Sequence, residues 1–259
     1  MPECYIIEHA DFSATILRQG AQLISFTPTG GEELFWSAKL ETFQEAKAFR
    51  GGVPICWPWF GKQGTPSHGF ARTESWELAE KKEGDADVYL RFTLQDSPET
   101  RAIWPHAFTL TLEMTLSKEK VILTLHIDTD APTTGALHSY VRVHDISHVS
   151  IKGLGECYND SLSQSIKQAP EITRLSEETD RIYTSPKRIS ELFEDEALRV
   201  SIAHEHHSDV VLWNPWNECA TKFADMQEND YTKMVCIETA RITKPLQERD
   251  SFGCCFLVS

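Results

Sequence analysis

Glu238 closes an apolar run, M-V-C-I-E-T-A at residues 234–240. A strand's period of two sets Met234 and Cys236 on the same face as Glu238. A carboxylate at the end of such a face is partly desolvated, and desolvation raises a carboxyl pKa toward the range of a general base near neutral pH. The competing reading is a strand end that turns out to solvent. His138, in A-L-H-S-Y at 136–140, offers an imidazole that titrates near working pH, as a catalytic acid must. It can equally be a hydrogen-bonded structural group, and spacing does not separate it from His126, His144 or His148.

Two segments could hold an anion. R-G-G-V-P-I-C-W-P-W-F-G at 50–61 is too rich in Gly and Pro for a helix or a central strand. P-S-H-G-F-A-R at 66–72 is irregular for the same reason. Arg50, His68 and Arg72 can then point into one pocket, and paired guanidiniums are a natural clamp for phosphate or carboxylate. Solvated surface arginines are the alternative. V-V-L-W-N-P-W at 210–216 runs a strand into a Pro turn between tryptophans. Sugars present apolar C–H faces that aromatic rings cover, so Trp57, Trp59, Trp213 and Trp216 near turns point to a carbohydrate site, with core packing the alternative for each.

Other chemistries find no support. In H-E-H-H at 204–207, His204 and His206 would share a strand face, but H-E-x-x-H and a third ligand are missing, so an exposed edge strand is expected and no metal. The phosphate loops G-x-G-x-x-G and G-x-x-x-x-G-K-[ST] are absent, as is the G-x-S-x-G elbow.

The elements that must position these residues read as strands. Residues 88–94, 108–116 and 121–127 alternate apolar and polar, and 117–120 is a short polar turn, the pattern of a hairpin with one buried face. Further strand-like runs cover 5–8, 14–17, 23–26, 149–154, 198–203, 210–213, 234–239 and 252–258. Short helical turns are expected near 41–48 and 189–193, and the polar stretch 164–196 reads as loops and weak strands crossing the surface. With no long amphipathic helix and no fixed repeat, the expectation is an all-β sandwich or barrel, one domain over 1–259.

Bulk composition is ordinary for a globular protein. At 41% hydrophobic and 25% charged, the chain can bury a sizeable core. A net charge of −14 argues against nucleic-acid or anionic-membrane binding, though arginines in one cleft can still hold a small anion. No apolar run reaches the ~18 residues of a spanning helix, and the N-terminus carries no signal-peptide pattern. Seven irregularly spaced cysteines without C-x-x-C read as free, mostly buried thiols in a reducing compartment, so a cytoplasmic location is expected.

Six segments occur in a recognisable order: R-G-G-V-P-I-C-W-P-W-F-G, P-S-H-G-F-A-R, L-H-S-Y, T-D-R-I-Y, V-L-W-N-P-W and M-V-C-I-E. Together they resemble the hexose-6-phosphate mutarotase branch of the aldose 1-epimerase family, over about residues 5–258. The resemblance implies a galactose-mutarotase-like β-sandwich, a monomer or weak dimer, no cofactor, and exchange of the α and β anomers of D-glucose 6-phosphate. It assigns His138 and Glu238 to catalysis and Arg50 and Arg72 to the substrate phosphate. Ser67 and His68 would line the same pocket, and Asp180 in T-D-R-I-Y would contact sugar hydroxyls. The chain departs at Val141, where the family pattern has phenylalanine, and at L-Q-E-R-D-S-F, which lacks a Pro-Gly before the last strand; neither falls on the acid, the base or the arginines. Two rival functions are a non-catalytic carbohydrate-binding module, which needs no acid–base pair, and a glycosidase or lyase, of which hydrolysis would want two carboxylates where one strong candidate stands, with Asp180 a distant second.

Overall fold

Alternation along the chain builds two large antiparallel sheets and one small one. The computed structural model describes residues 2–258, leaving the two end residues of the expected 1–259 unit outside. The nine-stranded sheet runs, edge to edge, Ile172–Thr173, Val149–Lys152, Ile189–Glu194, Ala197–Glu205, Asp250–Val258, Lys120–Thr129, Phe108–Ser117, Asp87–Gln95, Glu77–Glu83. Its central hairpin is the one expected, with Ser117 paired to Lys120 across a two-residue turn. Phe108, Leu110, Leu112, Met114 and Leu116 are buried together with Val121, Leu123, Leu125 and Ile127.

The second sheet runs Ser165–Gln168, Cys157–Asp160, Thr179–Tyr183, Asp209–Asn214, Met234–Leu246, Thr133–Leu137, Ile55–Cys56, with Tyr140–Arg142 also paired to Met234–Leu246. Cys4–Glu8, Phe12–Leu17 and Gln22–Pro28 form the third, small sheet. Alternate residues of the second sheet, among them Tyr183, Val210, Leu212, Val235, Ile237, Leu137 and Val141, join one apolar cluster with Leu112, Leu123 and Phe256 of the nine-stranded sheet. That shared cluster is the core of a β-sandwich. The other residues of the second sheet face outward, and there the candidate site lies.

Several expectations change. Residues 189–193 are strand, not a helical turn. Two short helices were not foreseen: Pro98–Ile103, whose Ser97 and Thr100 form a reciprocal capping box, and Trp216–Ala220. Within 164–196, Ser165–Gln168 is an exposed edge strand as expected, but Thr179–Tyr183 is an interior strand of the second sheet. Between its prolines, the 50–61 segment does form a two-residue strand, Ile55–Cys56, at the sheet edge where missing donors are tolerated. H-E-H-H is no edge strand: its strand lies between two others and ends at Glu205, and His204 is fully buried with its ring nitrogens on Thr239 and Ser190. All seven cysteines are free thiols. Among the described residues no helix is long and apolar enough to cross a membrane.

Candidate active site

Two ladders converge on Glu238. Leu137 pairs with Thr239 and Tyr140 pairs with Cys236, so both segments keep one register although the strand breaks between them. That shared register leaves His138 opposite Glu238. Ser139 fastens the break: its hydroxyl donates to the Ile237 carbonyl at 2.5 Å, and its own carbonyl accepts from the Ile237 N–H at 3.2 Å. Across the sheet, Ile182, Val211, Glu238 and His138 form one row, and Asp180, Trp213, Cys236 and Tyr140 the next. Paired residues in antiparallel strands share a face, so these two rows make the floor of the site.

His138 Nε2 lies 3.3 Å from Glu238 Oε1, and Glu238 is 1% exposed. The solvent-turned strand end is therefore excluded; Glu238 sits mid-strand in a ladder that continues to Leu246. His138 Nδ1 and Glu238 Oε2 are buried and make no hydrogen bond within the protein. Burial, with Asp180 as a nearby like charge, pushes the Glu238 carboxyl well above the usual range against the opposing pull of Arg72. Burial, then the neighbouring His68, Arg72 and Arg50, pushes the His138 imidazole well below its ordinary value. The surroundings thus favour a neutral acid beside a neutral imidazole, one proton for the pair, in place of the imidazolium that a simple acid role would want. The His138 ring stacks on Tyr140 at 4.8 Å and 9°, with Trp213 edge-on to both at 6.1 Å.

The 50–61 segment runs beside this floor. Pro54 and Gly52 carbonyls accept from the His138 and Tyr140 N–H groups at 2.9 and 2.8 Å. Gly52, at φ 59°, lets the segment pass so close that a Cβ would stand 2.0 Å from the Leu23 carbonyl oxygen. The Arg50 guanidinium lies over the Phe223 ring at 3.9 Å, gives its Nε–H to both oxygens of Asp225 at 3.1 Å, and brings Nη1 within 3.5 Å of the Tyr140 hydroxyl. The 66–72 loop is pinned by Gly69, whose φ of 69° and missing Cβ allow contact with the Trp57 backbone. Arg72 Nη2 donates to the Ser67 carbonyl at 2.8 Å while its Nε is buried without a partner. His68 accepts the Gly61 N–H, stands 5.7 Å from the His138 ring, and is lowered to about 4 by burial and Arg72.

Glu238, His138, His68, Arg72, Arg50 and Asp180 are therefore gathered on one side of one sheet. Ser67 is exposed and its hydroxyl is spent on the Gly61 carbonyl at 3.1 Å, so it shapes the loop and does not reach the pair. Asp180 accepts from Ser161 Oγ at 2.9 Å, and burial raises its carboxyl. Of the four tryptophans only Trp213 flanks the pair. Trp57 is core, donating to Thr133; Trp59 donates to the Pro66 carbonyl and holds the 61–68 turn; Trp216 packs on Tyr231. Val141 lies on the core face, away from the site. Sequence reasoning missed Ser139 and Asp225. Ser139 stands inside L-H-S-Y, but Asp225 is 175 residues from Arg50 and carries no local signal.

A β-sandwich with an acid–imidazole pair on the outer face of one sheet is the setting of an acid–base enzyme. The chain belongs to the aldose 1-epimerase family, whose sequence profile matches residues 3–251. A relative from Salmonella typhimurium, provisionally named a glucose-6-phosphate 1-epimerase, is 40% identical over 252 residues, covering 93% of this chain and 84% of its own. A second, from Escherichia coli K12 and with the same provisional name, is 39% identical over 91% of this chain and 82% of its own. The crystal structure of a provisionally named mutarotase from Salmonella typhimurium superposes with a TM-score of 0.94 at 37% identity, covering 98% of this chain and 89% of that one.

Proposed function

We propose that this protein interconverts the α and β anomers of hexose 6-phosphates, D-glucose 6-phosphate first among them, through proton transfer by His138 and Glu238. The observation that carries this reading is the buried pair: a carboxyl and an imidazole at 3.3 Å, each with one polar atom unclaimed by the protein. The provisional name shared by the relatives supports the substrate, and the two nearby guanidiniums supply charge for its phosphate.

A phosphate dianion between Arg50 and Arg72 offsets two of the charges that depress His138. The carboxyl proton then passes to the imidazole. Glu238 takes the proton of the C1 hydroxyl as the C1–O5 bond breaks, and His138 gives its proton to O5. The products are the open aldehyde and the neutral pair that burial favours. Rotation about C1–C2 presents the other carbonyl face; His138 then recovers the O5 proton, and Glu238 returns one to O1 as the ring closes. Acid–base groups of this kind supply about 10²–10⁴-fold each. The seven free thiols support a reducing, cytoplasmic setting.

Magnetisation-transfer NMR on equilibrated glucose 6-phosphate tests the proposal directly. The protein should speed exchange between the two anomeric signals, and Glu238→Gln and His138→Ala should each abolish that effect while keeping the folded spectrum. Exchange at the wild-type rate in either variant refutes the assignment.

A further inference from the structure

Asp225 has no part in the chemistry above, yet it makes the closest polar contact of a proposed phosphate ligand. Both of its oxygens take the Nε–H of Arg50, and neither takes a terminal nitrogen. Phe223, two residues earlier, lies under the same guanidinium. The plane is thus held from one edge and one face. Its Nη1 end is directed at Tyr140, whose ring stacks on His138. Asp225 is itself only 28% exposed in its side chain, and Arg50 18%, so this is an enclosed contact and not a solvated surface pair. A carboxylate that takes only Nε leaves Nη2, and Nη1 apart from its long contact to Tyr140, for a second anion, and forked donation to phosphate is strong only when the plane is oriented beforehand.

We propose that Asp225 is a positioning residue that sets the preference for phosphorylated over unphosphorylated hexose, by orienting the Arg50 guanidinium for the substrate phosphate. The inference rests on the anomerase reading for its substrate but not for its anion site. It is opposed to the other role a carboxylate can have on an arginine, that of an internal competitor which the phosphate must displace. The two roles predict opposite signs.

Two variants and two readouts decide. Asp225→Ala removes both the charge and the acceptor; Asp225→Asn keeps an acceptor oxygen for Nε. By calorimetry with inorganic phosphate, Asp225→Ala should bind about tenfold more weakly than the wild-type protein, the scale of one hydrogen bond to a charged group, and Asp225→Asn should recover much of that loss. In anomer exchange, Asp225→Ala should raise KM for glucose 6-phosphate by a similar factor with kcat little changed, and leave kcat/KM for glucose alone. Tighter phosphate binding or a lower KM in both variants would overturn the proposal in favour of competition. An equal loss on both sugars would overturn it in favour of a merely structural contact. If the wild-type protein failed to exchange anomers at all, the phosphate calorimetry would still test the anion site, while the function above would fall.

Discussion

Glu238 and His138 each meet surroundings that oppose their charged forms, and this has consequences that can be measured. Because the carboxyl is raised and the imidazole lowered, the one-proton state of the pair spans an unusually wide range. Below it the imidazole gains a second proton, and above it the carboxyl loses the first; these macroscopic steps belong to the pair. We expect kcat/KM, which reports the free enzyme, to be flat through neutral pH once the substrate phosphate's own titration is allowed for, with the pair's limbs on the acidic and basic sides; a bell centred on neutrality would contradict the pairing. Stability carries a separate signature. A carboxyl whose folded value is raised holds its proton in the native state after the unfolded chain has lost it, so its contribution falls as pH climbs from the ordinary value of 4.5 toward the folded one. Glu238→Gln removes that decline. Its stability relative to wild type, from urea unfolding, should therefore grow with pH, by up to about 1.4 kcal/mol per unit. Glu238 was legible in the sequence because an acid interrupts an apolar alternation. His138 was not separable from other histidines by spacing, since what distinguishes it is a register, and Arg50 with Asp225 is a contact between segments that no local pattern joins.

At the scale of elements, the strands read most clearly where one face meets the core and the other meets water, as in the 108–129 hairpin. They were hidden where polar residues occupy buried positions. The strand Ile189–Glu194 buries Ser190 and Glu194, the first under His204 and the second taking the backbone N–H groups of His144 and Asp145, so its alternation is invisible as hydropathy. The strand Thr179–Tyr183 was hidden by its outward face, which holds Asp180 because that face is the site. Two substitutions test how the elements hold the chemistry. Ser139→Ala removes the hydroxyl that pins the break beside His138 and should cost about 1–3 kcal/mol in chemical denaturation, with a loss in kcat. Gly69→Ala forces a Cβ to within 1.9 Å of the Trp57 carbonyl oxygen at a positive φ. It should cost more than about 1 kcal/mol and, by displacing the loop of His68 and Arg72, weaken phosphosugar binding more than turnover.

The whole molecule has four sheet edges to protect in its two large sheets. Glu77–Glu83 is dense in charge, Ile172–Thr173 and Ile55–Cys56 are two residues long, and Ser165–Gln168 is short and carries Lys167. These are familiar means of discouraging edge-to-edge growth. Replacing Lys81, Lys82 and Glu83 together by valine should produce concentration-dependent association beyond that of the wild-type protein in sedimentation velocity; an unchanged profile would show that the charges do not guard that edge. The second sheet also serves two masters, with Ile237 and Thr239 turned to the sandwich interior and Glu238 between them turned to the site. The ladder fixes the backbone of Glu238 together with the core strand to which it belongs, so its Cα keeps its place for as long as the sandwich stands. Heat should consequently extinguish activity at the temperature where the sandwich melts; an earlier loss would place the weak point in the loops that carry Arg50 and Arg72.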